Sequence, residues 1–413
     1  MVLGTLFIAA RVVLLYAREP FFDELFTLWM ARQPLSRVIP NLLHDSGPPL
    51  FYFLARFDSV IALRWLSLAF AAVQFALVAK RSTWSAALLA LYPPAVLFAV
   101  DARAYALCAL FVTAGVIALE AEKPLVAACF FALAAHAHYY GVLFFPVLLV
   151  RKKVLPFLLA VILFGPGFIL AWKQPAEALK WNREALFAPL ANLSFAGMYP
   201  YALFAAGPVL LVAIGLVALA VAGSRSMRYA DAVLVPLVLV LAFHVAGRPV
   251  YFPMRFEAVI AGPLVLWLGS SLFEWPVVMR RALGAALLAI AVASVAIGIA
   301  DHERRPLDPY REAAIQLNAV NAPIVATGYL YLESVVTADR PITAWPADQA
   351  LHPGWRSRAK ADPRALPPSS FVWIGERFAP ELQLLREARS VRPLFSNGRT
   401  LIARVAALTP PVH

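Results

Sequence analysis

VIALRWLSLAFAAVQFALVAKRSTWSAALLALYPPAVLFAVDARAYALCALFVTAGVIALEAEK, residues 60–123, is a succession of apolar runs parted by a few charged residues. The runs 60–79, 84–100 and 104–120 each approach the roughly 20 residues that a helix needs to cross a hydrocarbon layer about 30 Å thick. Their junctions alternate in charge: Lys80-Arg81, then Asp101 with Arg103, then Lys123. That alternation is how a chain crossing a bilayer back and forth records its sidedness.

The pattern extends in both directions. Further spans are predicted at roughly 2–16, 124–136, 139–150, 154–172, 201–222, 231–246, 256–270 and 282–299, about 11 in all. Runs that are too short borrow flanking residues or are met by local thinning of the bilayer. The first contains Arg11 and lacks the basic start and small-residue cleavage site of a signal peptide, so it reads as a span. The whole composition agrees: 62% of the 413 residues are hydrophobic and 15% charged, with mean hydropathy +0.74, outside the soluble range.

Arg151-Lys152-Lys153, Arg225 with Arg228, and Arg280-Arg281 fall on the same side as Lys80-Arg81 and Lys123. The opposite short junctions hold only Arg103, Arg248 and Arg255, so the clusters belong in the cytoplasm. The chain reads as a multi-pass protein of the cytoplasmic (inner) membrane. Its net charge of +12 lies in these clusters, not along one soluble face, which excludes nucleic acid as a partner. Cys108 and Cys129 sit in apolar runs and give neither a disulfide framework nor zinc spacing.

Beyond residue 301 the composition changes. APIVATGYLYL, SSFVWIG and RTLIARV read as strands, while YREAAIQLNAV and APELQLLREAR read as amphipathic helices. The fold class is therefore a polytopic α-helical membrane domain, residues 1–300, followed by a small extracytoplasmic α/β domain, 301–413. There is no Gly-rich phosphate loop and no internal repeat.

Chemistry-bearing residues concentrate on the outer side. The first outer loop, 17–59, carries Asp23-Glu24 just after a span and a Phe-Phe pair, then Asp45 in HDSGPP. A solvated loop would explain such acids, but their place beside the lipid headgroups favours function. Asp101 and Arg103 share an almost loopless junction. They either cap a helix turn or set an arginine fork beside a phosphate. His136, His138, Tyr139 and Tyr140 follow. The i, i+2 histidines do not share a helix face, and interface anchoring is the bland alternative for the tyrosines. Arg248, Tyr251, Arg255 and Glu257 close the set; outer arginines run against the charge bias, and an anionic ligand gives them a reason.

The ordered set resembles GT-C glycosyltransferases of the protein O-mannosyltransferase and aminoarabinose-transferase type. The likeness runs through FFDELFTLWMARQPL, DSGPPLFY, ALRWLSLAF, DARAYAL, AHAHYYG, Arg255-Phe256 and DPYREAAIQLN, over most of the chain. Gly47 stands where that family often has His, Asp101 where it has Glu, and Ala104 where it has Pro. The resemblance implies an inverting transfer from a polyprenyl-phosphate sugar to an acceptor hydroxyl on a lipid, polysaccharide or protein. By residue match it makes Asp23 the general base and Glu24 its support. Arg103 and Arg255, with Arg64, would meet the leaving phosphate, and His138 and Tyr139 the phosphate or a sugar hydroxyl. Asp45, Asp101, Tyr105 and Tyr251 complete the substrate-binding set. The family is divided on metal need; Asp23, Asp45 and Asp101 could hold a divalent ion, and no metal or other cofactor is predicted. A lipid or polysaccharide flippase is the main alternative, and a membrane scaffold or sensor a weaker one. Transporters favour internal repeats and charges near the midplane, whereas this sequence shows no repeat and concentrates its charges at the outer surface.

Overall fold

The computed structural model describes residues 2–18, 20–174, 192–194, 207–222, 228–248, 250–304, 309–327, 331, 341–347, 362–367, 369–375, 380–396 and 400–406. The chain packs as two units: Met1–Arg18 with Ser46–Arg304, and Glu19–Asp45 with Arg305–His413.

The first unit is helical, and its described apolar runs fall on helices; residues 201–206 of the run 201–222 lie outside the described residues. α1 is Val2–Ala17, α4 Leu50–Leu54, α5 Val60–Ala79, α6 Thr83–Leu91, α7 Pro93–Phe98, α8 Tyr105–Glu120 and α9 Pro124–Ala137. A 3-10 helix, Tyr139–Phe144, runs into α10, Phe145–Val150; then come α11, Val154–Leu163, and α12, Gly165–Lys173. α13 is Gly207–Ala222, α14 Asp231–Val245, α15 Arg255–Glu274 and α16 Val277–Arg304. By length and hydropathy α5, α15 and residues 277–297 of α16 can each cross a membrane, and α11 with α12 can if their 50° bend lies within one span. The other apolar helices are shorter, 10–17 residues.

One sequence run breaks where proline interrupts it. The run 84–100 becomes α6 and α7, because Pro93 and Pro94 lack the N–H groups that would continue the ladder. The carbonyls at the end of α6 are met by Arg11. Its guanidinium donates to Leu89 O at 3.2 Å, Ala90 O at 2.9 Å, Ala95 O at 3.2 Å and Phe7 O at 3.0 Å. An arginine in an apolar helix is tolerable here because it serves as a cap.

α15 is the centre of this unit, packing against α5, α6, α7, α8, α13, α14 and α16. Gly262 allows the closest approach: a Cβ there would lie 1.9 Å from Thr113 Oγ1 on α8. Small residues at such crossings let membrane helices gain close van der Waals packing. A similar fit seats the 3-10 helix on α9, where a Cβ on Gly141 would lie 2.2 Å from the backbone of Ala135. At the far end of α8, Arg151 pairs with Glu120 and Asp231, and Arg228 with Glu120 at 3.3 Å, tying α8, α10 and α14 together.

In the second unit, α2 (Phe22–Arg32) and α3 (Leu35–Leu42) come from the first loop. The rest is a mixed sheet of order β2-β1-β3-β5-β4, with β1 Ile324–Ala326, β2 Thr343–Ala344, β3 Ser370–Gly375, β4 Ser390–Ser396 and β5 Thr400–Ala406. β1 runs parallel to β2 and β3, while β3, β5 and β4 are antiparallel. Period-two alternation sends Val372, Leu401, Ala403 and Val405 into one core with Leu382 and Leu385 of α18 (Pro380–Ala388). Trp373 and Ile402 enter the other, with Ala313 and Leu317 of α17 (Pro309–Asn318). Period-two reading passes over β2 and β4; in β4, Pro393 and a register shift at 393–395 mark an edge.

Candidate active site

The junction of α7 and α8 is held by bonds that leave Arg103 well placed. Asp101, 1% exposed, forms an ion pair with Arg18 just past α1. Arg18 also donates to Leu97 O at 3.2 Å. Arg64 of α5, also 1% exposed, donates to Leu15 O at 2.8 Å and Arg18 O at 2.7 Å. The outcome is a rigid corner built from α1, α5 and α7.

Beyond that corner Arg103 donates to the hydroxyl of Tyr52, on α4, at 2.9 Å. Tyr105, in the first turn of α8, lies under the Arg255 guanidinium at 5.6 Å from its ring centre. Phe252 flanks the same guanidinium at 4.9 Å. The His138 ring sits 5.0 Å from Tyr105 and 4.7 Å from Tyr140. Burial, then the charges of Arg103 and Arg255, push the His138 imidazole down to about 3, so it is neutral at physiological pH. Its Nδ1 accepts the backbone N–H of Tyr140 at 3.2 Å, which leaves the proton on Nε2. Two guanidinium forks and one N–H donor thus stand around an aromatic floor, an arrangement suited to an anion with acceptor oxygens.

The approach to Arg255 is pinned by phenols. Tyr140 donates to Val250 O and accepts from Phe252 N, both at 2.9 Å. Tyr251, 3% exposed, donates to Glu257 Oε1 at 2.5 Å and accepts from Asn192 Nδ2 at 2.9 Å. Glu257 is fully buried, and its Oε2 has no partner among the described residues. Tyr139 donates to Gln174 Oε1 at 2.7 Å, and Gln174 in turn pairs with the backbone of Gly47.

The structure thus gathers Arg103, Tyr105, His138 and Arg255 into one cluster, with Tyr139 and Tyr251 bordering it. Arg64 and Asp101 lie in the supporting corner. Asp23, Glu24 and Asp45 belong to the other unit. There Asp23 is half-buried in the first turn of α2, and Glu24, fully buried, accepts the N–H of Phe21 at 3.4 Å, a capping-box bond. Asp45 follows α3 with its N–H on Leu42 O at 3.2 Å. Among the described residues no three of the His, Cys, Asp and Glu side chains gather as a metal site. The sequence reading did not single out Arg18, Gln174 or Asn192; only their partners far along the chain reveal them.

No protein-family model and no curated protein matches the sequence. A solved structure does: ArnT from Cupriavidus metallidurans in the apo state, with TM-score 0.59 over 97% of this chain and 97% of that one, at 12% identity. The chain has the fold of that structure. The identity is low, so what ArnT and this chain share is the path of the backbone. Within that fold the arginine and histidine cluster is formed by residues of the sequence motifs, at the α7–α8 and α9–3-10 junctions and the start of α15.

Proposed function

We propose that this protein is an inverting glycosyltransferase that moves a sugar from a polyprenyl-phosphate donor to an acceptor hydroxyl on the extracytoplasmic face of the membrane. The observation that carries the reading is the cluster of Arg103, His138 and Arg255 over Tyr105, within a GT-C fold. Such donors meet the phosphate of a lipid whose prenyl chain lies among apolar helices. The lysine and arginine clusters supply the sidedness, and the α/β unit stands outside the membrane on that reading.

In the reaction the acceptor oxygen attacks the anomeric carbon from the face opposite the phosphate. The new O–C bond forms as the C–O bond to phosphate breaks, and its electron pair leaves on polyprenyl phosphate. Asp23 takes the acceptor's proton, with Glu24 holding the first turn of α2 in place. Arg103 and Arg255 stabilise the charge that grows on the phosphate. Arg64 and Asp101 hold the corner from which Arg103 projects.

The test is transfer of radiolabelled sugar from polyprenyl-phosphate donors in proteoliposomes. Asp23→Asn is expected to lower turnover at least about 100-fold, with membrane insertion and melting temperature unchanged. Full activity in that variant removes Asp23 from the mechanism. Movement of the lipid across the bilayer without any new glycosidic bond would instead favour a flippase.

A further inference from the structure

Tyr139 and Gln174 settle a question of polarity. The Gln174 amide faces both backbone groups of Gly47: its Nε2 donates to Gly47 O at 2.9 Å and its Oε1 accepts Gly47 N–H at 3.3 Å. Gly47 takes φ +143°, a conformation that favours glycine. Turning the amide over would set donor against donor and acceptor against acceptor, so its orientation is fixed by the backbone. The atom next to the Tyr139 hydroxyl is therefore an oxygen, and at 2.7 Å the phenol must donate to it. Tyr139 presents lone pairs to any further partner. Its neighbour His138 has the reverse polarity: Nδ1 accepts from Tyr140 N–H, and Nε2 carries the proton.

We propose that His138 and Tyr139 sort the two halves of the donor, His138 giving its Nε2–H to the phosphate and Tyr139 accepting a hydroxyl of the sugar, with Gln174 as the positioning residue that imposes the second choice. The proposal rests on the phosphosugar reading above and deepens it. A phosphodiester offers acceptors only, which Tyr139 in this state cannot serve; a sugar hydroxyl can donate, and Tyr139 can receive it. Arg103 and Arg255, whose charges reach His138, put the phosphate on the histidine side.

Binding to the full-length protein in nanodiscs tests this, with sugar-free polyprenyl phosphate and with polyprenyl phosphates bearing mannose, glucose or arabinose as probes. Wild type is expected to bind the bare lipid and to hold at least one phosphosugar more tightly. Tyr139→Phe keeps the ring against Phe164. It should leave bare-lipid affinity within about twofold and remove the sugar-dependent gain. Gln174→Leu, which releases the phenol's proton, should also diminish that gain and spare the bare lipid. His138→Asn can still accept from Tyr140 N–H but lacks the distal donor, and should weaken both probes about tenfold with their ratio kept. His138→Gln, which restores a distal N–H, should recover bare-lipid binding and covers the case in which the Asn variant fails to fold. Equal loss of both probes in Tyr139→Phe, undiminished bare-lipid binding in a folded His138→Asn, or no sugar-dependent gain in wild type each overturns the sorting. Binding of none of these lipids by wild type overturns the phosphosugar reading itself.

Discussion

The most informative single side chain is His138, because its charge state reports its surroundings. It lies at the end of α9, with Arg103, Arg255, Tyr105 and Tyr140 around it, and its imidazole is driven down to about 3, while in the unfolded chain it titrates near its ordinary 6.5. Below about 6.5 the unfolded chain therefore binds a proton that the folded one refuses, so stability falls as pH falls, until about 3. Between pH 7.5 and 5.5 this contributes a loss of about 1 kcal/mol. Melting temperatures in detergent should show it in wild type as an acid-side decline, and His138→Asn should be flatter over that interval by the same amount. Arg103 and Arg255 stand out in the sequence, because arginines at the junctions read as outer run against the charge bias; His138 is given its role there only by the resemblance. Gln174 was not legible: its partner Gly47 lies 127 residues away, and a glutamine at a loop start carries no local signal. Tyr251 was legible as an aromatic but not as a phenol engaged by Glu257 and Asn192.

At the level of elements, hydropathy found the helices and missed their interruptions. Residues 84–100 are continuously apolar, so the division into α6 and α7 had only Pro93-Pro94 to announce it. What makes the division tolerable is Arg11, which the sequence offered merely as an odd charge in a span. Arg11→Met should leave the carbonyls of Leu89, Ala90 and Ala95 without their donors, at a cost of about 3 kcal/mol or more. Arg11→Lys should retain part of this, because an ammonium has three donors but no fork. Thermal melts of both variants measure the difference. Gly262 gives a second test, at the crossing of α15 and α8. Gly262→Leu forces those helices apart at Thr113 and should destabilise by about 2 kcal/mol or more, read as lost folded yield. Thr113→Ala in the same chain should recover some of it, since the nearest obstructing atom is Thr113 Oγ1.

For the molecule as a whole, sidedness is the property on which the mechanism depends, and chemical labelling measures it. Cys108 is buried and Cys129 exposed, so Cys129→Ala gives a background in which new cysteines report alone. On the proposed orientation a membrane-impermeant maleimide should label Ser46→Cys in intact cells, and Lys152→Cys only after permeabilisation. The reverse result would put the Arg103 cluster on the wrong side for a lipid-linked donor. The sheet was legible in its central strands, which are apolar and buried on both faces, and illegible at β2 and β4. One of these has two residues, and the other is a proline-bearing edge with little buried surface. Arg11 has a consequence of another kind, in time. Synthesis delivers α1 to the bilayer before residues 89–95 exist, so its guanidinium enters with no carbonyls from α6 or α7 to receive it. A charge in that position costs about 3 kcal/mol on insertion scales. The first helix is therefore held poorly until some 80 residues more have emerged and the broken pair α6–α7 closes over it. Biogenesis of this protein has a built-in order, in which the beginning of the chain is completed by a segment made much later.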